Sequence, residues 1–236
     1  MNNKEFKLYC EKISYANSFK PTETSRILIK SVLSEFEKNK SIKNKKILDL
    51  GCGSGIISII LNNKFPLNLY FASDFHDGSI EESRKNFEIF NLNIKIKKSN
   101  VFDNWNEKFD YIIDDISGVS SIITKHTNWF NNSLPSKDID GINLLNKMLD
   151  QSHKYLNDKG ILYFPLLSVS NEKKALKNAS KKFNIVLTEK SYWQAPKNLI
   201  VKRDYLENLK EKEIINFEEK YGSIFFWTSI YKAKLK

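Results

Sequence analysis

The sequence predicts an α/β fold with a doubly wound, mostly parallel sheet that is covered by helices on both faces. Short apolar runs typical of buried strands alternate with segments in which apolar residues recur every three or four positions, as on one face of a helix. One strand-like run, residues 46–50, leads directly into a glycine-rich turn at 51–55, and a helical apolar pattern begins at Ile56. Because strands that alternate with helices form parallel sheets between two helical layers, these observations indicate the doubly wound class.

The other elements follow the same reasoning. Two helical segments, residues 3–15 and 22–40, come first and are separated by Pro21, which a helix interior does not tolerate. A helix predicted at 142–156 begins behind Asp140, a residue type that caps helix N-termini. Further strands are predicted at 68–73, 94–99, 109–113, 161–166, 185–187 and 223–231, and further helices at 79–90, 171–181 and 205–219.

Length and composition place the chain among ordinary globular proteins. The 236 residues include 41% hydrophobic and 28% charged side chains, and we divide them into an N-terminal helical addition, residues 1–40, and a main domain, residues 41–236. No run approaches the roughly 20 apolar residues of a membrane helix. The first residues also lack the apolar core of a signal peptide, so we expect a cytoplasmic protein without a membrane partner. Cys10 and Cys52 are too few for a disulfide framework and are not spaced as a metal pair, so no metal is expected.

The charge of the chain gives a weak signal for an anionic partner. The formal net charge is +10, but only three of the 38 basic residues are arginines, at positions 26, 84 and 203. Nucleic-acid recognition tends to use the forked guanidinium of arginine, whereas a lysine-rich surface is more often simply solvated. A nucleic-acid partner is therefore not expected, although a functional basic surface stays an alternative.

The glycine-rich turn is the first candidate binding site. In a doubly wound sheet, ligands bind outside the carboxyl ends of the strands and next to the first helix N-terminus. Gly51, Gly53 and Gly55 let the backbone approach a ligand closely, and Asp74 follows the next predicted strand, where a carboxylate can accept both hydroxyls of a ribose. A packing turn without a ligand is the alternative for the glycines, and a solvated acid or helix cap is the alternative for Asp74.

The run at 47–55, Ile-Leu-Asp-Leu-Gly-Cys-Gly-Ser-Gly, closely resembles the nucleotide-site signature of the class I S-adenosylmethionine-dependent methyltransferases. The resemblance implies a Rossmann-like fold with an antiparallel last strand and S-adenosyl-L-methionine as the cofactor. It further implies that the glycine turn cradles the methionine part of the cofactor, that Asp49 acts near its amino group and that Asp74 binds its ribose. A nicotinamide-binding signature would instead need a third glycine at position 56, where Ile56 stands.

The resemblance extends over residues 19–164 and is nearest to the branch that contains the glutamine methyltransferases of release factors. The segment at 21–28 is similar to one whose polar residues approach the cofactor, which makes Thr24 and Ser25 candidates; a helix cap is the alternative. Ser-Asn-Val-Phe at 99–102 is similar to the branch's Ser-Asp-x-Phe, whose acid meets the adenine amine. Asn100 and Val101 are therefore further cofactor candidates, although Asn100 lacks the charge of the family's acid.

The chain departs from this branch where the branch binds its acceptor. Instead of Asn-Pro-Pro-Tyr, which holds a planar amide or amine nitrogen, the chain has Asp-Ile-Ser-Gly at 115–118. A carboxylate at Asp115 can orient an amine through charged hydrogen bonds or take a proton from an amine or hydroxyl, and a simple strand end is the alternative. In the loop that follows, His126 is a candidate base, with a solvated histidine as the alternative. Trp129 and Phe130 are candidates for lining an acceptor pocket or, equally, a small core.

Together, these residues and the resemblance predict an enzyme that transfers a methyl group from S-adenosylmethionine to a nitrogen or oxygen of a small-molecule acceptor. The missing planar-amide motif and the aromatic loop favour that acceptor class. A protein side chain of the translation apparatus is the nearest alternative, because the most similar branch modifies such proteins. A protein that binds the cofactor without catalysis is an alternative of another class.

Overall fold

The computed structural model describes residues 1–38, 42–116, 118–127 and 137–236. Within these residues, the strands are β1 (Lys46–Leu50), β2 (Leu69–Asp74), β3 (Lys95–Lys98), β4 (Phe109–Asp114), β5 (Leu156–Leu167), β6 (Phe183–Gln194), β7 (Glu218–Lys220) and β8 (Ser223–Leu235). The helices are α1 (Asn3–Lys12), α2 (Glu23–Lys38), α3 (Ile56–Lys64), α4 (Asp77–Ile89), α5 (Ser121–Thr124), α6 (Asn143–Ser152), α7 (Glu172–Ala179), α8 (Lys197–Ile200) and α9 (Arg203–Glu211). Among these helices, none combines the length and the apolar character needed to cross a bilayer.

The strands form one sheet in the order β3-β2-β1-β4-β5-β8-β6, and β7 pairs with β8 beside this path. Strands β1 to β5 run parallel to one another; Lys46 lies opposite Leu69, for example, and Ile47 lies opposite Tyr111. Strand β8 runs antiparallel to both β5 and β6. The prediction of a Rossmann-like, mostly parallel sheet with an antiparallel last strand is confirmed.

Each face of the sheet carries its own apolar cluster, because successive side chains of a strand point to opposite faces. Ile47 and Ile113 pack in a cluster that includes residues of α1, α2 and α3. Leu48 and Ile112, their neighbours in sequence, pack in a second cluster with residues of α6 and α7. Helices therefore cover both faces, as the sequence predicts.

Helix α2 packs directly on the sheet. Its residues Leu28, Val32 and Phe36 are completely buried in the same cluster as Ile47 of β1. Helix α1 also contributes to this cluster, through Phe6. The division into an addition at 1–40 and a domain at 41–236 stays a prediction.

A third apolar cluster lies between the segment that follows β4 and the excursion, which here means the segment 195–222 that connects β6 to β8. Val119 and Ile123 follow β4, and they pack with Leu199 of α8, Leu206 of α9 and Phe226 of β8. The excursion thereby supports the chain directly behind the carboxyl end of β4, which is the end where ligands bind in folds of this class.

Some predicted boundaries are wrong. The helix predicted at 142–156 ends at Ser152, and β5 already begins at Leu156. The carbonyl of Tyr155 accepts a hydrogen bond from the backbone N–H of Phe109 at 2.8 Å, and the pairing of β5 with β4 begins at this bond. Tertiary pairing has here overridden the local helical pattern.

Three further elements differ from the sequence prediction. The N-cap of α6 is Ile142, while Asp140 accepts a hydrogen bond from the side chain of Asn171 at 2.9 Å. The helix predicted at 205–219 is α9, which ends at Glu211 before the short strand β7. The strand predicted at 185–187 is the 12-residue β6, whose exposed outer face hides its length in the sequence.

Candidate functional site

A cavity of about 420 Å³ lies at the carboxyl ends of β1 and β2, within the size range of small-molecule sites. It brings together four of the residues that the sequence singles out, Gly51, Asp74, Asn100 and Val101. The described residues that line it are Leu50, Gly51, Asp74, Phe75, His76, Ser99, Asn100, Val101, Ile116 and Leu144.

The glycine turn forms the floor of this region and is held to β2 by its backbone. The N–H groups of Gly51 and Cys52 both donate to the carbonyl of Ser73, at 2.8 and 3.0 Å. Gly51, with φ +72°, packs so tightly that a Cβ would lie 2.6 Å from Ile116. Gly53, with φ +53°, has open space instead, since a Cβ would meet only the carbonyl of Phe19 at 3.8 Å. A ligand can therefore approach the backbone at Gly53.

Gly55 completes the turn and begins the helix. It is the N-cap of α3 with φ +80°, and a Cβ there would lie 2.5 Å from the ring of Phe87. Its conformation and its close packing both exclude a side chain. Gly55 therefore shapes the turn that presents Gly53.

Asp74 ends β2 and joins the turn to the loop that follows the strand. One carboxylate oxygen accepts from the N–H of Gly53 at 3.0 Å, and the other accepts from the N–H of His76 at 2.9 Å. Each carboxylate oxygen can accept a second hydrogen bond. Asp74 is thus oriented by the backbone at the cavity wall and can still accept from hydroxyl groups of a ligand.

Asp49 lies on the other side of the turn and is almost completely buried. Its Oδ2 accepts from the backbone N–H of Ser58 at 3.0 Å and from the Ser58 hydroxyl at 2.8 Å. Within the described residues, its Oδ1 has no hydrogen-bond partner. Burial raises the pKa of Asp49 to about 7, and the charges of Asp115 and Asp74 add to this increase. The unpaired oxygen is a buried acceptor that an amino group could satisfy.

The loop after β3 contributes a strained backbone. Val101 has φ +59°, a left-handed conformation that is a clear outlier for a β-branched residue. The hydroxyl of Ser99 donates to its carbonyl at 2.8 Å and accepts from the N–H of Asn104 at 3.2 Å, which fixes the turn. Strain of this kind clusters at ligand sites. Asn100, at the centre of the turn, lines the cavity.

Asp115 directly follows β4 and is bonded to helix α2. The hydroxyl of Ser25 donates to Oδ2 of Asp115 at 2.7 Å, and the backbone N–H of Asp115 donates to the carbonyl of Leu50 at 3.2 Å. Burial raises the pKa of Asp115 to about 7, although the hydrogen bond from Ser25 lowers it. In the described residues, Ser25 bonds to Asp115 and to the backbone N–H of Thr22 at 3.4 Å, and its predicted contact with the cofactor stays a prediction. Thr24, the neighbouring candidate, is buried.

Asp114 is a further buried carboxyl at this edge, although the sequence reasoning left it unassigned. Its side chain is fully buried, and Oδ2 has no hydrogen-bond partner in the described part of the chain. Burial and the charge of Asp115 hold the pKa of Asp114 well above its usual range.

Three predicted acceptor-side residues, His126, Trp129 and Phe130, come from the loop that follows Asp115. The described lining does not include His126, whose ring lies edge-on against Tyr205 of α9 with centroids 5.5 Å apart. The carbonyl of His126 also accepts a hydrogen bond from the side chain of Asn198. The role of His126 as a base stays a prediction. Trp129 and Phe130 lie outside the described residues.

Sequence reasoning missed several lining residues. Phe75 and His76 follow Asp74 directly, and 58% of Phe75 is exposed at the rim. Their position behind a strand that ends in a candidate acid is a signal that could have found them. Leu144 comes from α6, far along the chain, and no local pattern marks it.

These observations fit the cofactor that the resemblance implies. The cavity has room for a nucleoside, and Asp74 stands at its wall with acceptor capacity to spare. The open backbone at Gly53 and the unpaired, buried Oδ1 of Asp49 suit a polar chain that ends in an amino group.

Comparison with known proteins gives an independent result. Residues 22–115 match the sequence profile of a family described as "Methyltransferase small domain". A release factor glutamine methyltransferase of Flavobacterium psychrophilum is 28% identical to the chain over 158 residues, which cover 64% of the chain and 55% of that protein. A ribosomal RNA small subunit methyltransferase C of Actinobacillus pleuropneumoniae is 38% identical over 84 residues, 36% of the chain and 25% of that protein. The chain thus spans about half the length of the first of these relatives and a quarter of the second.

Comparison with solved structures supports the fold. The crystal structure of a ribosomal protein L11 methylase from Lactobacillus delbrueckii subsp. bulgaricus matches with a TM-score of 0.54 at 16% identity, over 90% of this chain and 80% of that one. At this identity, the match shows the fold alone.

Proposed function

Since this chain carries a methyltransferase domain and has the Rossmann-like fold of the S-adenosylmethionine-dependent methyltransferases, we propose that it transfers a methyl group to a nitrogen or oxygen acceptor beside Asp115. The methyl donor that this family implies is S-adenosylmethionine. The observation that carries the proposal is the half-buried carboxyl of Asp115, which directly follows β4 and accepts a hydrogen bond from Ser25 at 2.7 Å.

The cofactor is proposed to lie along the carboxyl ends of β1, β2 and β3. Asp74 accepts from its ribose hydroxyls, and Asn100 and Val101 contact its adenine. The backbone at Gly51 and Gly53 approaches its methionine part. These assignments are supported by the cavity lining and by the open space at Gly53.

The amino group of the cofactor is proposed to satisfy Asp49, whose Oδ1 is buried and unpaired within the described residues. Thr24 keeps its place as a candidate cofactor contact, because it stands in the first turn of α2 next to the residue that bonds to Asp115.

Bound S-adenosylmethionine supplies an electrophilic methyl group, and transfer forms a bond from the methyl carbon to the acceptor while the bond to the positively charged sulfur breaks. The acceptor nitrogen or oxygen loses a proton in the process, and Asp115 is the proposed group that takes it. A base is most effective when its pKa lies near the working pH, and the pKa of Asp115 is raised to about 7. The same carboxylate orients the acceptor, which is the main task of the protein in an in-line transfer.

The kind of acceptor remains part of the proposal. We retain a small molecule as the first choice, because Asp-Ile-Ser-Gly replaces the planar-amide motif at 115–118. The names of the relatives do not support this choice, since they refer to release factor glutamine, ribosomal protein L11 and ribosomal RNA. A protein side chain is therefore the second candidate, and RNA is the third. A cytoplasmic location likewise stays a proposal from the sequence.

The test compares wild-type protein with the Asp115→Asn variant. Purified protein is incubated with donor labelled in its methyl group and, separately, with small amines and alcohols, with peptides that contain lysine or glutamine, and with oligoribonucleotides. Loss of a general base typically costs 10²- to 10⁴-fold, so we expect Asp115→Asn to lower methyl transfer at least 100-fold. Binding of S-adenosylhomocysteine, measured by calorimetry, should change less than about threefold because Asp115 does not line the described cavity.

Two outcomes would reject the proposal. Methyl transfer that survives in Asp115→Asn would remove the role of this residue. Tight binding of S-adenosylhomocysteine without methylation of any acceptor class would favour a protein that binds the cofactor without catalysis. A steep salt dependence of acceptor binding would select RNA over the other two classes.

A further inference from the structure

Helix α2 reaches the acceptor edge of the sheet through one hydroxyl group. Ser25 is 4% exposed and lies in the first turn of the helix. Its Oγ lies 2.7 Å from Oδ2 of Asp115 and 3.4 Å from the backbone N–H of Thr22. The two partners are far apart in the chain, because Ser25 and Asp115 are separated by 90 positions.

The direction of these hydrogen bonds is fixed by chemistry. The N–H of Thr22 can only donate, so the oxygen of Ser25 is its acceptor. The single hydroxyl proton of Ser25 is therefore available for Asp115, whose carboxylate accepts it. A hydroxyl that accepts at a helix start and donates to a carboxylate has one preferred rotamer, and it fixes the carboxylate that it contacts.

We propose that Ser25 is a positioning residue for the acceptor side of the site, which holds the Asp115 carboxylate in its ionised, proton-accepting form. This assignment rests on the proposed function of Asp115, and it replaces the cofactor contact that the resemblance implies for Ser25. The helix adds to the effect. Ser25 belongs to the first turn of a 16-residue helix, whose positive N-terminal end favours a negative charge in contact with that turn.

The charges around Asp115 make such support necessary. Asp49 of β1 and Asp114 of β4 are buried carboxyls whose pKa values are raised in part by the charge of Asp115, so the three groups repel one another when ionised. The charged residues in the first turn of α2 do not offset this repulsion, because Glu23 and Arg26 form an ion pair with each other. The hydroxyl of Ser25 is the side-chain donor that lowers the pKa of Asp115.

The test measures the titration of Asp115 directly. Protein labelled with ¹³C at the aspartate carboxyl carbons is titrated by NMR, and the resonance that disappears in Asp115→Asn identifies the group. In Ser25→Ala, the midpoint of this resonance should rise by about one pH unit or more, because a hydrogen bond to a charged group is lost. Ser25→Thr retains a hydroxyl and should return the midpoint to within about 0.3 pH unit of wild type.

Controls separate this role from a purely structural one. Ser31 lies on the same helix, is buried and bonds to Thr188 at 2.6 Å, so Ser31→Ala should leave the Asp115 midpoint unchanged. Calorimetric titration with S-adenosylhomocysteine should give Ser25→Ala an affinity within about threefold of wild type. An unmoved Asp115 midpoint in Ser25→Ala would overturn the proposal, and so would a shift that Ser25→Thr does not reverse.

A loss of S-adenosylhomocysteine affinity in Ser25→Ala without a shift of the Asp115 midpoint would indicate that Ser25 contacts the cofactor and does not position Asp115. This failure is distinct from failure of the proposed function. The latter is decided by methyl transfer in Asp115→Asn, whereas the role of Ser25 is decided by the titration of Asp115 in a protein whose carboxylate is intact.

Discussion

At the scale of single residues, the site is defined by two buried carboxyl groups, those of Asp49 and Asp114, and by the half-buried carboxyl group of Asp115. Asp49, Asp114 and Asp115 lie close to the carboxyl ends of β1 and β4, and within the described residues none of them forms an ion pair. Burying a charged group without a partner costs folding free energy, and a raised pKa is the usual consequence. The proposed cofactor carries a positively charged sulfur and an amino group, so its binding would offset part of this cost.

The first prediction at this scale concerns Asp49 and pH. Its pKa in the folded protein, about 7, exceeds the ordinary value of 3.8, so between these pH values the folded state holds a proton that the unfolded state has lost. Stability from this group is therefore lost as pH rises from about 4 to 7. The Asp49→Asn variant lacks the titrating carboxyl and therefore lacks this pH dependence of the free energy of unfolding. We expect its free energy of unfolding, relative to wild type, to increase by about 2 kcal/mol between pH 5 and pH 8.

Urea denaturation of both proteins at the two pH values measures this difference. Asp158→Asn, which changes an exposed carboxyl in β5, is the matched control and should run parallel to wild type. Parallel curves for Asp49→Asn as well would show that Asp49 does not titrate with a raised pKa.

At the scale of elements, side chains of helix α4 form hydrogen bonds to the backbone of the segment that follows α1 and to the backbone of the glycine turn. Asn86 accepts from the N–H of Ser14 at 2.8 Å and donates to the carbonyls of Ser14 and Ser54 at 2.7 and 2.9 Å. Glu82, one turn earlier, accepts from the N–H of Asn17 at 3.0 Å. One buried side chain thus links the segment behind α1, the glycine turn and α4.

The prediction at this scale is that Asn86→Ala loosens both the segment and the turn. Asn86 is completely buried, and its removal leaves backbone groups at Ser14 and Ser54 without their partner. Each unsatisfied buried group costs about 1–3 kcal/mol, so we expect a loss of about 2–4 kcal/mol in urea denaturation. The amide of Ser14 should also exchange its hydrogen faster. Asn178→Ala, whose partners are the side chains of Asn146 and Asp150, should cost less than about 1 kcal/mol. Equal losses in the two variants would contradict this account.

The elements also show what the sequence could and could not predict. The sequence predicts the strand Lys46–Leu50, the glycine turn after it and the helix Ile56–Lys64, because the change from a strand pattern to a helical pattern is local. The length of β6 could not be predicted. Its pairing with β8 across eleven residue pairs decides where β6 ends, and the outer face of β6 is exposed. The end of α6 was missed for the same reason, since Tyr155 pairs with β4 rather than continuing the helix.

The residues of the candidate site also fall into two groups, those that a local sequence pattern predicts and those that only contacts between distant parts of the chain show. Gly53 and Asp74 follow from their places at strand ends, because the carboxyl ends of parallel strands meet at one edge, whereas Asp49 is implied by the resemblance to the methyltransferase signature. The bond between Ser25 and Asp115 joins residues 90 positions apart and has no local signature. His126 is predicted from its residue type and from its place in the loop behind Asp115; its ring packs against Tyr205, a contact between distant parts of the chain that no local pattern shows.

At the scale of the whole molecule, the two halves of the sheet serve different parts of the proposed reaction. The half formed by β1, β2 and β3 carries most of the cavity lining, and these three strands lie within residues 22–115, which match the family described as "Methyltransferase small domain". The other half, with β6 and β8, carries the excursion whose α8 and α9 pack against the chain behind Asp115. Cofactor binding should therefore depend on the first half, and acceptor choice on the second.

The most direct test of the central claim is a calorimetric titration of the purified protein with S-adenosylmethionine and S-adenosylhomocysteine, with NAD as the control. We expect micromolar binding of the first two and none of NAD. Asp74→Ala should weaken binding by about 10- to 100-fold, because it removes a charged acceptor worth about 1.5–3 kcal/mol. Absence of binding, binding that Asp74→Ala leaves unchanged, or equal binding of NAD would contradict the assignment of this cavity to S-adenosylmethionine.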